Sequence, residues 1–210
     1  MTEPVPVDFY LGLGSRYSYL AASQIERIEA RHDCRFVWKP IASGMLMDRA
    51  GSNPFRARAS GQYDWAYREH DARSWAAHYG IPFREPAEFK VDPAAPALAC
   101  LAADAQGALV ACCRELFNMI FVDGLAIDAA ALAALPGRLG LQAERFHQDF
   151  TAPGTLLRHE KLLDEAQKRG VFGVPTFFLG ERMFWGNDRL VLLEAALTGA
   201  GMEPPQRFPH

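Results

Sequence analysis

The chain has 210 residues, half of them hydrophobic, with a net charge of -3 at pH 7 and an isoelectric point near 6.1. That is enough for one sizeable core, or for a small α/β domain that carries a helical insertion. The slightly acidic charge gives no electrostatic basis for binding nucleic acid or an anionic membrane. No window approaches the roughly 18 apolar residues of a membrane span, and no signal-peptide pattern is seen, so we expect a cytoplasmic protein.

The first 41 residues predict a strand, a helix and a second strand. Val5–Leu11 is a short β-type run that ends at Gly12, and helical spacing of apolar residues follows from Ser15 to about His32. Arg35–Ile41 predicts the second strand. A strand–helix–strand unit of this length normally joins parallel strands by a right-handed crossover.

The chain from Ile41 to Gly170 predicts helices and no convincing strand. Glycine and proline residues separate the helices, as is usual at helix ends. The predicted helices are Gln62–Tyr79, Ala94–Ala105, Ala108–Val122, Asp128–Gly137, Gln142–Phe150 and Gly154–Arg169.

Two short strands and a helix complete the chain. Thr176–Leu179 and Arg182–Trp185 flank a two-residue turn, which predicts a β-hairpin. Asn187 or Asp188 is expected to cap a final helix that ends near Thr198. The order of these strands and helices along the chain predicts a thioredoxin-like α/β fold (βαβ…ββα) with a large all-helical insertion domain. We assign residues 1–41 and 171–201 to the discontinuous thioredoxin-like domain, 42–170 to the insertion domain and 202–210 to a tail.

The four cysteines do not form a redox pair. Cys34, Cys100, Cys112 and Cys113 include no C-x-x-C motif and no zinc-type spacing. We expect free, partly buried thiols in a reducing compartment, and no metal site. Dithiol exchange by this chain alone is therefore not expected.

Three segments carry the candidate chemistry. Val174-Pro175-Thr176 stands where a thioredoxin-like fold places its cis-proline, which leaves the backbone of Val174 open to pairing with a peptide-like ligand. Ser15 begins the first helix, where unpaired N–H groups and a partial positive charge stabilise a thiolate. No cysteine stands there, so Ser15 would hydrogen-bond to a thiolate that a ligand brings; the alternative is that it only caps the helix.

Asn187 and Asp188 stand at the start of the last predicted helix. A carboxylate there can pair with an α-amino group, and free N–H groups can bind an α-carboxylate; the alternative is again simple capping. A thiol, a peptide backbone and an amino-acid end are the three parts of glutathione. We therefore expect glutathione as the cofactor.

The segment VFGVPTFFLGERMFWGNDRL, together with an earlier DFY and S-x-Y-S-Y-L-A, closely resembles the 2-hydroxychromene-2-carboxylate isomerase family. These proteins are relatives of kappa-class glutathione transferases and DsbA-type oxidoreductases, and the resemblance covers nearly the whole chain in element order. It implies a homodimer in which Ser15 is the catalytic residue that activates glutathione. The glutathione-binding residues would be Gly173, Val174, Pro175, Asn187 and Asp188.

The resemblance is weaker on the substrate side. Residues expected to bind substrate are Arg16, Tyr17, Asn53, Tyr67 and Trp75. Tyr67, Asp71, Trp75 and Tyr79 step by four along one helical flank and would form an aromatic wall with one carboxylate. The alternative is a core stripe in which Asp71 forms a salt bridge.

Two residues depart from the family pattern. Gly12 stands where the family often has aspartate, and Arg16 stands where it has proline after the catalytic serine. Arg16 could reinforce the thiolate, bind a substrate carboxylate or mark a divergent substrate.

The resemblance implies a glutathione-dependent isomerase of an aromatic α,β-unsaturated keto acid or its cyclic hemiketal. The thiolate would add to the double bond, the resulting single bond would rotate, and elimination would regenerate glutathione. Three alternatives stay open: a kappa-like glutathione transferase acting on electrophiles, a disulfide oxidoreductase of the DsbA type, and a catalytically silent glutathione-binding module.

Overall fold

A computed structural model of the chain describes residues 3–51, 53–54, 64–87 and 94–199. Its strands are β1 (Val5–Leu11), β2 (Cys34–Pro40), β3 (Thr176–Leu179) and β4 (Arg182–Trp185). Its helices are α1 (Arg16–Ala22), α2 (Ile25–Arg31), α3 (Ser43–Arg49), α4 (Trp65–Tyr79), α5 (Ala95–Asp104), α6 (Leu109–Phe121), α7 (Ala129–Leu139), α8 (Ala143–Thr151), α9 (Pro153–Lys168) and α10 (Leu190–Leu197). A short 3₁₀ helix, Asn187–Arg189, precedes α10.

The strands form one mixed sheet in the order β2-β1-β3-β4. β1 and β2 are parallel, as the strand–helix–strand unit predicts, and β3 pairs antiparallel with both β1 and β4. The predicted hairpin is therefore confirmed. Seven of the described helices, α3 to α9, lie between β2 and β3, so the thioredoxin-like fold with a helical insertion is confirmed. The assignment of residue ranges to two domains stays a prediction, and residues 202–210 lie outside the described part.

Alternating residues of β1 face two different cores, as a pleated strand requires. Phe9 is fully buried in the larger core, where its ring stacks on Phe177 at 4.9 Å and meets the edge of Trp38 at 5.1 Å. Tyr10 points to the smaller core, which contains side chains of α3 and α9. The sheet is thereby covered on both faces, and the carboxyl end of β1 is held at a fixed position.

The structure corrects the prediction of a continuous helix from Ser15 to His32. α1 ends at Ala22 and α2 begins at Ile25. The Ser23 hydroxyl donates to the Leu20 carbonyl at 2.6 Å, which is a local hydrogen bond that competes with regular helix continuation. The functional helix is therefore a short one of seven residues.

Helix α3 was not predicted. No side chain caps its first turn. Its position depends on α9 instead: the Ala42 N–H donates to Nε2 of buried His159 at 3.2 Å, and Arg49 forms ion pairs with Glu160 and Asp164. Such tertiary contacts leave no local pattern in the sequence.

All four cysteines are buried and free, as expected. The thiols of Cys112 and Cys113, neighbours on α6, both approach Cys100 of α5, and burial raises the pKa of Cys100. Among the described residues, no helix is long and apolar enough to cross a membrane.

Candidate active site

Ser15 caps helix α1 just beyond the end of β1. Its hydroxyl oxygen accepts a hydrogen bond from the Ser18 N–H at 3.2 Å, and its own N–H donates to the Gly12 carbonyl at 3.0 Å. The Ser18 hydroxyl accepts from the Gly12 N–H at 3.3 Å. These hydrogen bonds fix the turn between β1 and α1 and leave Ser15 half-buried at the N-terminus of α1. The backbone dipoles at this terminus favour an anion.

The Ser15 hydroxyl faces the loop that precedes β3. It lies 3.5 Å from the carbonyl oxygen of Val174, and the Val174-Pro175 peptide bond is cis. Within the described residues, neither the N–H nor the C=O of Val174 takes part in a backbone hydrogen bond. A half-buried backbone edge thus lies beside the hydroxyl and is available to an extended ligand.

The third predicted segment lies next to the second. The Gly186 N–H donates to the Pro175 carbonyl at 2.9 Å, which holds the start of the 3₁₀ helix against the cis-proline loop. The structure therefore brings the segments Ser15, Val174-Pro175 and Asn187-Asp188 together at one end of the sheet.

The expected capping role of Asn187 or Asp188 is wrong. Neither side chain caps the 3₁₀ helix or α10, because Gly186 and Arg189 occupy the cap positions. The Asp188 carboxylate forms an ion pair with Arg189 and is 44% exposed, so it can reach a ligand. Asn187 is buried beside the Tyr79 hydroxyl, and burial raises the pKa of that tyrosine.

Gly173 is packed under an aromatic side chain that sequence reasoning missed. A β-carbon at Gly173 would lie 2.7 Å from Nε1 of Trp185, and the Phe172 ring meets the Trp185 ring at 4.7 Å. The Thr176 hydroxyl donates to the Gly173 carbonyl at 2.7 Å. Gly173 therefore belongs to the same loop, and half-exposed Trp185 forms a wall of the surface.

Arg16 points away from solvent. Its side chain is only 4% exposed, its Nε lies 2.8 Å from Oε1 of Glu85, and its guanidinium lies 5.2 Å from the ring centre of Trp65. Burial lowers the pKa of Arg16 and raises that of Glu85. Glu85 and Trp65 were missed because they are distant in sequence and belong to no motif.

Tyr17 connects α1 to α4. Its hydroxyl donates to Oδ2 of Asp71 at 2.7 Å, while the Arg68 guanidinium lies 5.0 Å from its ring centre. Burial and the hydrogen bond to Asp71 raise the pKa of Tyr17. Asp71 thus accepts a hydrogen bond from a phenol, which is neither role considered for it from the sequence.

The other predicted substrate residues are more scattered. Tyr67 is exposed, whereas Trp75 is half-buried, packs against the larger core and lies 5.3 Å from the ring of Tyr79. Asn53 hydrogen-bonds Asp48 at 2.8 Å at the end of α3. Among the described residues no hydrogen bond joins these three side chains to Ser15, so their role in substrate binding stays a prediction.

The site contains no thiol of its own. Cys34 is on β2 and the other cysteines are on α5 and α6, and all are buried. Any thiolate at Ser15 must therefore come from a ligand. The open Val174 backbone, the Ser15 hydroxyl and the reachable Asp188 carboxylate are the groups that such a ligand would meet.

Known proteins resemble this chain over most of its length. Residues 6–198 match the profile of the DSBA-like thioredoxin domain. The 2-hydroxychromene-2-carboxylate isomerase of Pseudomonas putida is 32% identical over 193 residues, which is 91% of this chain and 93% of the relative. The chain belongs to the 2-hydroxychromene-2-carboxylate isomerase family.

Further relatives support this membership. The 2-hydroxychromene-2-carboxylate isomerase of Pseudomonas sp. strain C18 is 33% identical, over 93% of this chain and 92% of the relative. A solved structure of a 2-hydroxychromene-2-carboxylate isomerase superposes with a TM-score of 0.78 at 28% identity, covering 93% of this chain and 95% of that one. Membership of the isomerase family supports an enzyme, and specifically an isomerase.

Members of the wider DSBA-like group share the fold. The cytosolic disulfide reductase DsbM of Pseudomonas aeruginosa, solved with GSH, superposes with a TM-score of 0.62 at 20% identity, covering 92% of this chain and 99% of that one. At that identity the similarity establishes a common fold and no more.

Proposed function

We propose that this protein is a glutathione-dependent isomerase of an aromatic α,β-unsaturated keto acid, or of the corresponding cyclic hemiketal. The observation that carries the proposal is the contact between the Ser15 hydroxyl and the otherwise unpaired backbone of Val174. Relatives named 2-hydroxychromene-2-carboxylate isomerase support the reaction class. A protein of the same fold has been solved with GSH, so glutathione is the thiol to test first.

Each segment has a defined role in holding glutathione. The backbone of Val174, fixed by Pro175, pairs with the peptide part, and Gly173 keeps the loop compact against Trp185. The Asp188 carboxylate pairs with the α-amino group, while Asn187 holds the 3₁₀ helix in place against Tyr79. When bound, glutathione supplies a thiolate that can add to the substrate double bond and leave again, so that the intervening single bond can rotate.

The protein contributes the stabilisation of negative charge on sulfur. The Ser15 hydroxyl donates a hydrogen bond to the thiolate, and the unpaired N–H groups at the start of α1 add a favourable dipole. By analogy with oxyanion donors, such a preorganised donor is worth about 2–4 kcal/mol in the transition state. The hydroxyl can make this bond because its present bond to Val174, at 3.5 Å, is long and weak.

Product analysis tests the proposal. The purified protein is incubated with glutathione and 2-hydroxychromene-2-carboxylate, and isomer formation and free glutathione are followed together. We expect isomerisation that requires glutathione and leaves its concentration unchanged. A stable glutathione adduct would instead indicate a kappa-like transferase, and absence of both products with intact binding would indicate a silent binding module.

A further inference from the structure

A cleft beside the start of α1 contains a buried donor that has no partner. Its described lining is Arg16, Trp65, Glu69, Glu85, Pro86 and Ala87, and its volume is about 460 Å³. The Nη1 atom of Arg16 is inaccessible to water and makes no hydrogen bond with the part of the chain that the structure describes. A buried N–H donor of a charged group without an acceptor is costly, so this atom marks a place where an acceptor is missing.

The acidic groups of the cleft are already engaged. Glu85 forms an ion pair with Nε of Arg16 at 2.8 Å, although its Oε1, like Nη1, makes no hydrogen bond with the described residues. Glu69 forms an ion pair with Arg73 at 2.7 Å. The unmet requirement is therefore for an oxygen acceptor that faces a guanidinium. A carboxylate meets this requirement best, because hydrogen bonds between charged partners are the strong ones.

The cleft also offers an aromatic surface. Trp65 is 54% exposed, and its ring lies over the Arg16 guanidinium. Access of a ligand to Nη1 requires the half-exposed Trp65 indole to change rotamer. A ligand with a ring and a carboxylate could then stack on Trp65 while its carboxylate reaches Arg16.

We propose that Arg16 is the residue that binds the carboxylate of the second substrate, in the cleft it forms with Trp65 and Glu85. This inference rests on the proposed function, since Arg16 directly follows Ser15 and the cleft would hold the electrophile beside the thiolate. It also assigns Glu85, a residue in no motif, as the group that holds the guanidinium in place and competes with the substrate for it.

The test is a binding titration without glutathione. The probe is 4-phenyl-2-oxobutanoate, a saturated aromatic keto acid that cannot add a thiol at a double bond, and its methyl ester serves as the uncharged counterpart. Binding is followed by tryptophan fluorescence and calorimetry. We expect Arg16→Met to weaken binding of the acid by about tenfold to a hundredfold, with little effect on the ester. Arg138→Met, which removes an exposed arginine paired with Glu115, is the matched control and should bind like the wild type.

The variants at Glu85 separate binding from folding. Glu85→Gln should bind the acid several-fold more tightly, because a competing carboxylate is removed from Arg16. Arg16→Met leaves Glu85 buried without its partner, so the double variant Arg16→Met/Glu85→Gln provides a folded alternative and should bind as weakly as Arg16→Met.

Several results would overturn the inference. These are equal binding of the acid by wild type and Arg16→Met, equal sensitivity of acid and ester, weaker binding in Glu85→Gln, or no binding of the acid at all. Because glutathione is absent, failure of these titrations can be distinguished from failure of glutathione binding. Conversely, if the protein binds the acid through Arg16 but does not bind glutathione, the assignment of the cleft stands and the proposed isomerase function is wrong.

Discussion

The hydroxyl oxygen of Ser15 lies 3.5 Å from the carbonyl oxygen of Val174, although the two residues are 159 positions apart in the chain. One begins the first helix and the other precedes the cis-proline, and the whole helical insertion lies between them. The fold therefore places a hydroxyl donor, a helix terminus and an open backbone edge at one point. That is the combination a bound thiolate peptide requires.

Replacement of Ser15 by alanine should lower activity far more than stability. Loss of the hydroxyl should reduce glutathione-dependent turnover by about 10²–10³-fold, as for an oxyanion donor. Loss of the helix cap should cost only about 1 kcal/mol of unfolding free energy. Steady-state kinetics and urea unfolding measure the two effects.

Asp128→Ala is the matched control for Ser15→Ala. The Asp128 carboxylate caps α7 by accepting from the Ala131 N–H at 2.8 Å, far from the candidate site. This variant should lose similar stability and keep its turnover. Near wild-type turnover in Ser15→Ala would contradict the assigned role.

The space around Gly12 is filled by its neighbours. A β-carbon there would lie 2.9 Å from Oγ of Ser43 and 3.1 Å from Cγ2 of Val174. Gly12→Ala should therefore displace both side chains, cost about 1–3 kcal/mol of stability and weaken glutathione binding. Adding Ser43→Ala should recover part of the loss, as measured by urea unfolding and calorimetry. If Gly12→Ala alone is as stable as the wild type, Ser43 and Val174 do not restrict the size of the side chain at position 12.

Local patterns in the sequence predicted most of the fold. The four strands, the hairpin turn at Gly180-Glu181 and the long helices carry their own spacing and stop signals, and their predicted boundaries lie close to the observed ones. The positions of Ser15 and of the Val174-Pro175 segment were predictable because Ser15 closely follows the first strand and Val174-Pro175 directly precedes the third strand of the fold.

The remainder depends on contacts between distant parts of the chain. Helix α3 is held by contacts of His159 and Arg49 rather than by a capping side chain of its own. Glu85 is part of the site only through its ion pair with Arg16. Trp185 was correctly predicted to lie in a strand, but its packing against Gly173 is a tertiary contact that the sequence pattern does not indicate. Spacing along the sequence cannot reveal such pairs.

His159 should make stability dependent on pH. It is buried and accepts a hydrogen bond from the Ala42 N–H, and burial lowers its pKa below the usual 6.5. The folded protein therefore favours neutral His159, and as pH falls the imidazole binds a proton in the unfolded chain before it does so in the folded protein. Stability from this group is complete above pH 6.5 and decreases as pH falls towards the lower folded value, by at most about 1.4 kcal/mol per pH unit.

His159→Gln tests this dependence, because glutamine keeps an acceptor and does not titrate. Urea unfolding between pH 7.5 and 5 should show a smaller loss of unfolding free energy in the variant than in the wild type. The same loss in both proteins would show that His159 does not contribute.

A calorimetric titration with glutathione measures whether the proposed thiol site exists. Wild type, Asp188→Ala and Glu181→Ala are compared, the last removing an exposed carboxylate of the hairpin turn. We expect micromolar to millimolar binding to wild type and to Glu181→Ala, and at least about tenfold weaker binding to Asp188→Ala, which loses a charge-assisted hydrogen bond. No binding to the wild type, or equal binding to all three proteins, would contradict it.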